Sequence, residues 1–336
     1  MESAGKNMKR KITVLTLCAM LFTLCGSADA QQPKKIPRIG YLGAGVPVPV
    51  PGSPRDEVFR QGLRELGYVE GKNIVIEWRS SEGKLDRLPA LAAELVRLKV
   101  EVIVTGGGSS TRAAKEATST IPIVMTQDND PVANGFVATL ARPGGNITGL
   151  ATLAPELTGK RLELLKEVIP KLSRVAVSGT STIAGHAQML REVELAAGAL
   201  GVKLQYLDVL DPKDIETSFR AASKGQANAV LTLTSIILLN HRTQVAELAV
   251  KSRLPAIYPQ TEYTEAGGLM YYGANVLDLY RRAATYVDKI LRGAKAADLP
   301  VEQPTKFELI INLKAAKQIE LTIPPNVLAR ADRVIR

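Results

Sequence analysis

Short apolar runs alternate with amphipathic segments along nearly the whole chain, and few folds satisfy that pattern. Val100 to Thr105 is mostly apolar, as expected of a strand in a parallel sheet covered by helices on both sides. Arg38 to Leu42 reads as the first strand. Ser53-Pro54 opens a helix, Ser as N-cap and Pro at the first helical position. That helix turns Val58, Leu63 and Leu66 inward and stops at Gly67. Asn73 to Arg79 is a second strand, with Ile74, Ile76 and Trp78 on one face. Leu88, Leu91, Leu95 and Leu98 form a helical stripe. A helix from Ser109 to Ala117 and a strand from Ile121 to Met125 complete a strand-helix repeat, the signature of a doubly wound α/β sheet.

The pattern then restarts. Helix Pro155 to Ile169 ends at Pro170, and strand Arg174 to Ser178 follows. Helix His186 to Leu200 ends at Gly201, before strand Val202 to Leu207. Next come helix Pro212 to Ala222, strand Ala229 to Thr232, helix Ile236 to Ser252 and strand Pro255 to Tyr258. Two tandem α/β units result. The remaining strand Leu269 to Tyr272, helix Val276 to Arg292 and strand Lys306 to Ile311 are too few for a third domain, so they are expected to complete the two units by crossing back. At this length about three-quarters of the unfolded surface can be buried, enough for two cores.

The start of the chain reads as an export signal over residues 1–30. Lys6, Lys9, Arg10 and Lys11 supply positive charge, and Ile12 to Leu24 is apolar apart from two threonines. Ala28-Asp29-Ala30 then offers a cleavage site before Gln31. The apolar run is too short to span about 30 Å of hydrocarbon. A lipid anchor at Cys25 is disfavoured because Leu24 stands where a small residue is wanted. Residues 31–37 read as a tether, and the expected location is periplasmic. Both cysteines, Cys18 and Cys25, fall inside the signal. The remainder therefore has no disulfide, thiol nucleophile or cysteine metal site. The net charge of +10 comes from basic residues scattered along helices, so a solvated surface is expected and no nucleic-acid partner.

Enzyme motifs are absent. The first turn, Gly43-Ala44-Gly45, is followed by Pro47, Pro49 and Pro51, where a dinucleotide site needs a third glycine opening directly into a helix. Thr158-Gly159-Lys160 lacks the upstream glycine and following hydroxyl of a phosphate loop. Gly107-Gly108-Ser109-Ser110-Thr111 lacks the closing glycine of a nucleophile elbow. His186 and His241 lie far apart, with no H-E-x-x-H. No catalytic residue, metal or cofactor is expected.

The loops beyond the carboxyl ends of the strands carry a different chemistry. In open α/β sheets ligands bind there. Thr105 to Thr111 leads into a helix, and Gly108, Ser109, Ser110 and Thr111 could present backbone N–H groups to a carboxylate or simply make and cap the turn. Asp128 and Asp130, in Gln127 to Pro131, could receive an ammonium group or cap the next turn. Gly43 and Ala44 follow the first strand. In the second unit the equivalent loops hold Thr180, Ser181, Thr234 and Ser235. Tyr258, Tyr263, Tyr271 and Tyr272 cluster near the expected cleft with Glu262 and Asn275, where each tyrosine can face an organic ligand or pack in the core.

Four runs then resemble one family. Phe59-Arg60-Gln61-Gly62-Leu63-Arg64-Glu65-Leu66-Gly67-Tyr68 and Leu140-Ala141-Arg142-Pro143-Gly144-Gly145-Asn146-Ile147-Thr148-Gly149 look like the ABC-transporter substrate-binding proteins of tryptophan and tyrosine type. So do Gly268-Leu269-Met270-Tyr271-Tyr272-Gly273 and Ile311-Asn312-Leu313-Lys314-Ala315-Ala316-Lys317. The resemblance implies a type I periplasmic binding fold: two Rossmann-like lobes with parallel sheets, joined by a three-crossover hinge around a clamped ligand. It places the crossovers near Leu150 to Ala154, Tyr272 to Val276 and Leu299 to Pro304. The implied lobes are 36–150 plus 276–299, and 151–275 plus 300–336. It matches Asp130-Pro131, Ser109 and Ser110, and Tyr272, Gly273 and Asn275 to family elements. The first loop, Gly43 to Pro54, is longer and richer in proline than the family's, and Ser178 to Thr182 replaces its Asn-Pro element.

The expectation is a monomeric periplasmic receptor clamping a small organic carboxylate, an amino acid or aromatic-acid relative. The N–H groups of Ser109 to Thr111 would hold the carboxylate, Asp130 an amine and tyrosines the side chain. Its partners would be an inner-membrane ABC permease and its ATPase. The rivals are a sensor feeding a membrane receptor kinase and an exported α/β enzyme.

Overall fold

The computed structural model describes residues 36–45, 54–183 and 185–336. The expected signal peptide, most of the tether, the prolines of the first loop and the expected N-cap Ser53 lie outside the described residues.

The first unit is built from β1 (Arg38–Gly43), α1 (Pro54–Glu65), β2 (Val75–Ser80), α2 (Leu88–Arg97), β3 (Val102–Thr105), α3 (Gly108–Ala117), β4 (Ile123–Met125) and β5 (Ile147–Gly149). Its five strands run in the order β2-β1-β3-β4-β5, every neighbouring pair parallel. Alternate strand residues serve opposite layers, as the pleat demands. Ile39, Tyr41, Val102 and Val104 pack beneath Phe59 and Leu63 of α1. Leu42, Ile103 and Met125 pack with Leu95 of α2 and Ala114 of α3 on the other face.

The second unit contains α4 (Ala154–Val168), β6 (Arg174–Gly179), α5 (His186–Leu200), β7 (Lys203–Asp208), α6 (Asp214–Lys224), β8 (Ala229–Thr232), α7 (Ile236–Asn240), α8 (Arg242–Lys251), β9 (Ala256–Tyr258), α9 (Glu262–Glu265) and β10 (Met270–Ala274). The chain then runs through α10 (Val276–Leu291) and returns as β11 (Phe307–Asn312), α11 (Leu313–Gln318), α12 (Pro325–Leu328) and β12 (Arg333–Ile335). Seven strands form the second sheet, in the order β12-β11-β10-β9-β8-β6-β7. Val175, Val177, Leu231 and Ile257 face α4 and α5. Ala176, Val230 and Tyr258 face α6 and α8.

The long helix expected over Ile236 to Ser252 is two helices. It breaks at His241, where φ is −108° and ψ 24°, and the imidazole Nδ1 lies 2.9 Å from the Ile237 carbonyl. β5 and β12, three residues each, were not foreseen; each pairs with one neighbouring strand at an edge of its sheet.

The chain passes between the sheets after β5, after β10 and before β11. α10 leaves the second sheet and packs on α1 of the first unit. β11 therefore re-enters the second sheet from the opposite direction and pairs antiparallel with β10, against the otherwise parallel order. The crossing segments are tied to one another. Ala151 donates to the Glu302 carbonyl at 2.9 Å, Glu302 donates to that of Gly149 at 3.0 Å, and Thr148 Oγ1 donates to that of Leu299 at 2.7 Å. Among the described residues no helix is long and apolar enough to cross a membrane.

Gly62 fixes the α1–α10 approach. A Cβ there would lie 2.6 Å from the Arg281 carbonyl oxygen and 2.9 Å from Ala284 Cβ. Gly62→Ala is expected to lower stability by roughly 1–3 kcal/mol through overpacking. Gly198→Ala, on the exposed face of α5 with nothing within 4 Å, is expected to raise it by about 0.5–1 kcal/mol. Denaturant unfolding of the two variants should show the opposite signs.

Candidate functional site

A cleft with about 600 Å³ of empty space, part of it open to solvent, lies between the two sheets. Its walls come from the segments that follow the strands. Ala44 follows β1, Gly106 to Ser109 follow β3, and Gln127, Asp128 and Asn129 follow β4. From the second unit come Ile183, Thr234 to Ile236, Leu239 and Gln260, with Arg55 from the start of α1.

The β3–α3 wall is backbone. α3 begins at Gly108 after Gly107, whose φ of 136° and ψ of 172° suit glycine alone, and no side chain caps the helix. A Cβ on Gly107 would meet nothing within 4 Å, so a ligand can reach the main chain there. The first N–H groups of a helix have no intrahelical acceptor and carry the positive end of its dipole. A wall of this kind suits an anion.

Asp128 supplies the opposite charge. It is 2% exposed. Its Oδ1 accepts from Asn134 Nδ2 at 2.9 Å and from the Asp130 N–H at 3.0 Å. Its buried Oδ2 accepts no hydrogen bond from the described residues. Burial pushes the carboxyl up to about 7, against the lowering effect of those two hydrogen bonds. A buried acid with one free oxygen beside a cleft is matched by a cationic donor.

An ion pair joins the units at the cleft. Arg55 Nε donates to Glu262 Oε1 at 2.8 Å, and Nη2 stands 2.5 Å from the same oxygen. Burial works against both charges, but their mutual attraction prevails. The Arg55 guanidinium is held above its usual range and the Glu262 carboxyl below its own. The guanidinium also lies 5.8 Å from the centre of the Tyr280 ring, and the Tyr280 hydroxyl accepts from Gln127 Nε2 at 3.3 Å.

Of the residues singled out from the sequence, Ala44, Gly108, Ser109, Asp128, Thr234 and Ser235 line this cleft. The others lie elsewhere. Gly43 is buried in β1. Ser110 and Thr111 are fully buried, Thr111 Oγ1 lying 2.8 Å from Thr105 Oγ1. Asp130 Oδ1 accepts from the Ala133 N–H at 2.9 Å and makes a turn. Thr180 donates to the Val209 carbonyl at 2.8 Å, and Ser181 donates to Asp208 at 2.6 Å. Tyr258 is fully buried and stacked on Tyr263, with ring centres 4.6 Å apart. Tyr272 packs near Phe307. Asn275 caps α10 and donates to Glu308 at 2.7 Å. Glu262 meets the cleft through Arg55. Arg55, Asn129, Ile183, Leu239 and Gln260 were not foreseen. Asn129 stood in the run Gln127 to Pro131, and Gln260 had no local signal. Among the described residues no group of three acidic, histidine or cysteine side chains could hold a metal.

A family model described as ABC transporter substrate binding protein matches residues 45–335. The chain belongs to that family of substrate-binding proteins, and its fold is the two-lobed type I periplasmic binding fold. It is 26% identical over 268 residues to a tyrosine-binding protein of Clostridioides difficile, covering 78% of this chain and 75% of that one. A crystal structure of a conserved domain protein from Vibrio cholerae superposes with a TM-score of 0.83 at 28% identity, over 89% of this chain and all of that one. An ABC domain from Streptococcus pneumoniae in complex with L-Trp gives 0.80 at 24% identity, over 88% of this chain and 100% of that one.

The Asp128 environment sets a pH dependence. In the folded protein the carboxyl keeps its proton to about pH 7, whereas its ordinary value is 3.8. Between those values the folded state binds more protons than the unfolded state, so this residue's contribution to stability falls as pH rises through the window. The expected slope is at most about 1.4 kcal/mol per pH unit. Unfolding of ligand-free protein at pH 5 and pH 8 should show that Asp128→Asn removes this component, gaining on the wild type at pH 8.

Proposed function

We propose that the protein is the periplasmic receptor of an ABC importer and that it clamps a free α-amino acid between its lobes for delivery to the permease and its ATPase. The observation that carries this reading is the pairing of opposite charges across one cleft. The uncapped start of α3 suits an α-carboxylate, and the unpaired Oδ2 of buried Asp128 suits an α-ammonium. Asp130, whose Oδ1 accepts from the Ala133 N–H, is not assigned that role. The tyrosine-binding relative supports the same ligand class.

Opening and closing would be gated by Arg55 and Glu262, which meet only when the lobes are together. Export follows from the first 30 residues, and the mature chain is expected to begin at Gln31, which N-terminal sequencing of periplasmic protein would check. Without a catalytic set, the bound ligand would be released unchanged.

Isothermal titration with the common L-amino acids tests the ligand class. At least one should bind, and Asp128→Asn should weaken it tenfold or more by leaving the ammonium unpaired. Binding near neutral pH should also release a proton, because an ammonium beside Asp128 favours its ionised form. Titrations in buffers of different ionisation enthalpy read that proton. Failure of every amino acid to bind would overturn the assignment.

A further inference from the structure

A second recess with about 320 Å³ of empty space adjoins the cleft. It shares Gln127, Asn129, Thr234 and Gln260 with the cleft and is lined further by Leu157, Pro259, Ala274 and Val276. Arg161 of α4 lines it. This arginine is 2% exposed and has no ion-pair partner among the described residues. Nε donates to the Tyr272 carbonyl at 2.7 Å, and Nη1 stands 3.5 Å from Thr158 Oγ1. A guanidinium offers five N–H donors in a planar fork, so most of its capacity is unmet by the protein. Burial pulls it down to about 10, against the neighbouring Tyr271 and Tyr272. In the same recess the buried Oε1 of Gln260 accepts nothing.

A buried cation without a carboxylate is costly unless something else neutralises it. Arg161 lines the adjoining recess and not the cleft that holds the charges assigned to the amino-acid head, and Gln127 and Gln260 line both. We propose that Arg161 is a specificity-determining residue and that the ligand is an amino acid whose side chain ends in a carboxylate. The apolar walls from Leu157, Pro259, Ala274 and Val276 take the carbons of that side chain, and the guanidinium takes its terminal acid. A ligand ending in a neutral apolar group would leave the cation buried and unpaired. The proposal rests on the amino-acid reading of the cleft and adds to it the chemistry of the tail.

The test is a titration series of acids differing in tail length: aspartate, glutamate, 2-aminoadipate and 4-carboxyphenylalanine. Each is set against its neutral side-chain amide and against tyrosine and phenylalanine. In the wild type at least one acid should bind tenfold or more tighter than its own amide, and tighter than both aromatic amino acids. In Arg161→Gln that acid-to-amide ratio should fall to about one, and Arg161→Lys should keep part of it. Amides that match every acid in the wild type, a tightest ligand that is tyrosine or phenylalanine, or a ratio that survives Arg161→Gln would overturn the proposal. The wild-type ratio decides the matter even if the variants fail to fold. If no amino acid of any kind binds, the amino-acid reading fails first and this proposal with it. If neutral amino acids bind through Asp128 without regard to the tail, only this proposal fails.

Discussion

Parallel pairing is the constraint on which the rest of this structure depends. Strands that run the same way end on the same edge, so every loop leaving a carboxyl end is delivered to one place. Both sheets obey this, and the cleft is walled by the segments after β1, β3, β4, β6, β8 and β9. Parallel pairing also makes the connections cross back over the sheet, most of them as helices that cover its faces, the β4–β5 connection being the exception without one. The antiparallel pairing of β11 with β10 is the same constraint seen from outside. A chain that spends α10 on the other lobe can only return to the sheet from the far side.

The lobes differ from ordinary packed domains in where they leave polar groups unmet. Among the described residues Asp128 Oδ2 and Gln260 Oε1 are buried with no hydrogen-bond partner, and Arg161 is a buried cation with no ion-pair partner. Each has a desolvation cost in the empty protein that a well-paired core would avoid. All three line one continuous cleft. A ligand bearing complementary charges would relieve them together, so the unmet groups act as a template for what is bound. Arg55 and Glu262 are the contrast in charge, since they neutralise each other across the lobes.

Much of the architecture was legible in the chain. The alternation of apolar runs with amphipathic segments dictated strands and helices in nearly their observed places, because burial on two faces leaves its mark on every residue of a strand. Gly201 ends α5 with φ of 64°, as its residue type requires; Asn275, read as a ligand-site residue, caps α10 instead. The glycine-rich turn into α3 was visible for the same reason: a backbone wall needs residues without side chains. The export reading of residues 1–30 falls outside the described residues.

What the sequence by itself determined, then, was the local and periodic part: element type, the glycine-rich wall, and the lack of catalytic motifs. Only the tertiary structure decided which polar residues were spent and which were left over. Asp128 and Asp130 are two residues apart and chemically identical, yet Asp130 closes a turn onto Ala133 while Asp128 keeps a free oxygen beside the cleft. Tyr258 looked like a ligand contact and is stacked on Tyr263 inside the second lobe. Arg161 looked like any helical arginine, and Arg55 and Glu262, 207 positions apart, had no local reason to meet. Hydrogen-bond satisfaction and burial belong to neighbours distant in sequence, so no window along the chain could contain them.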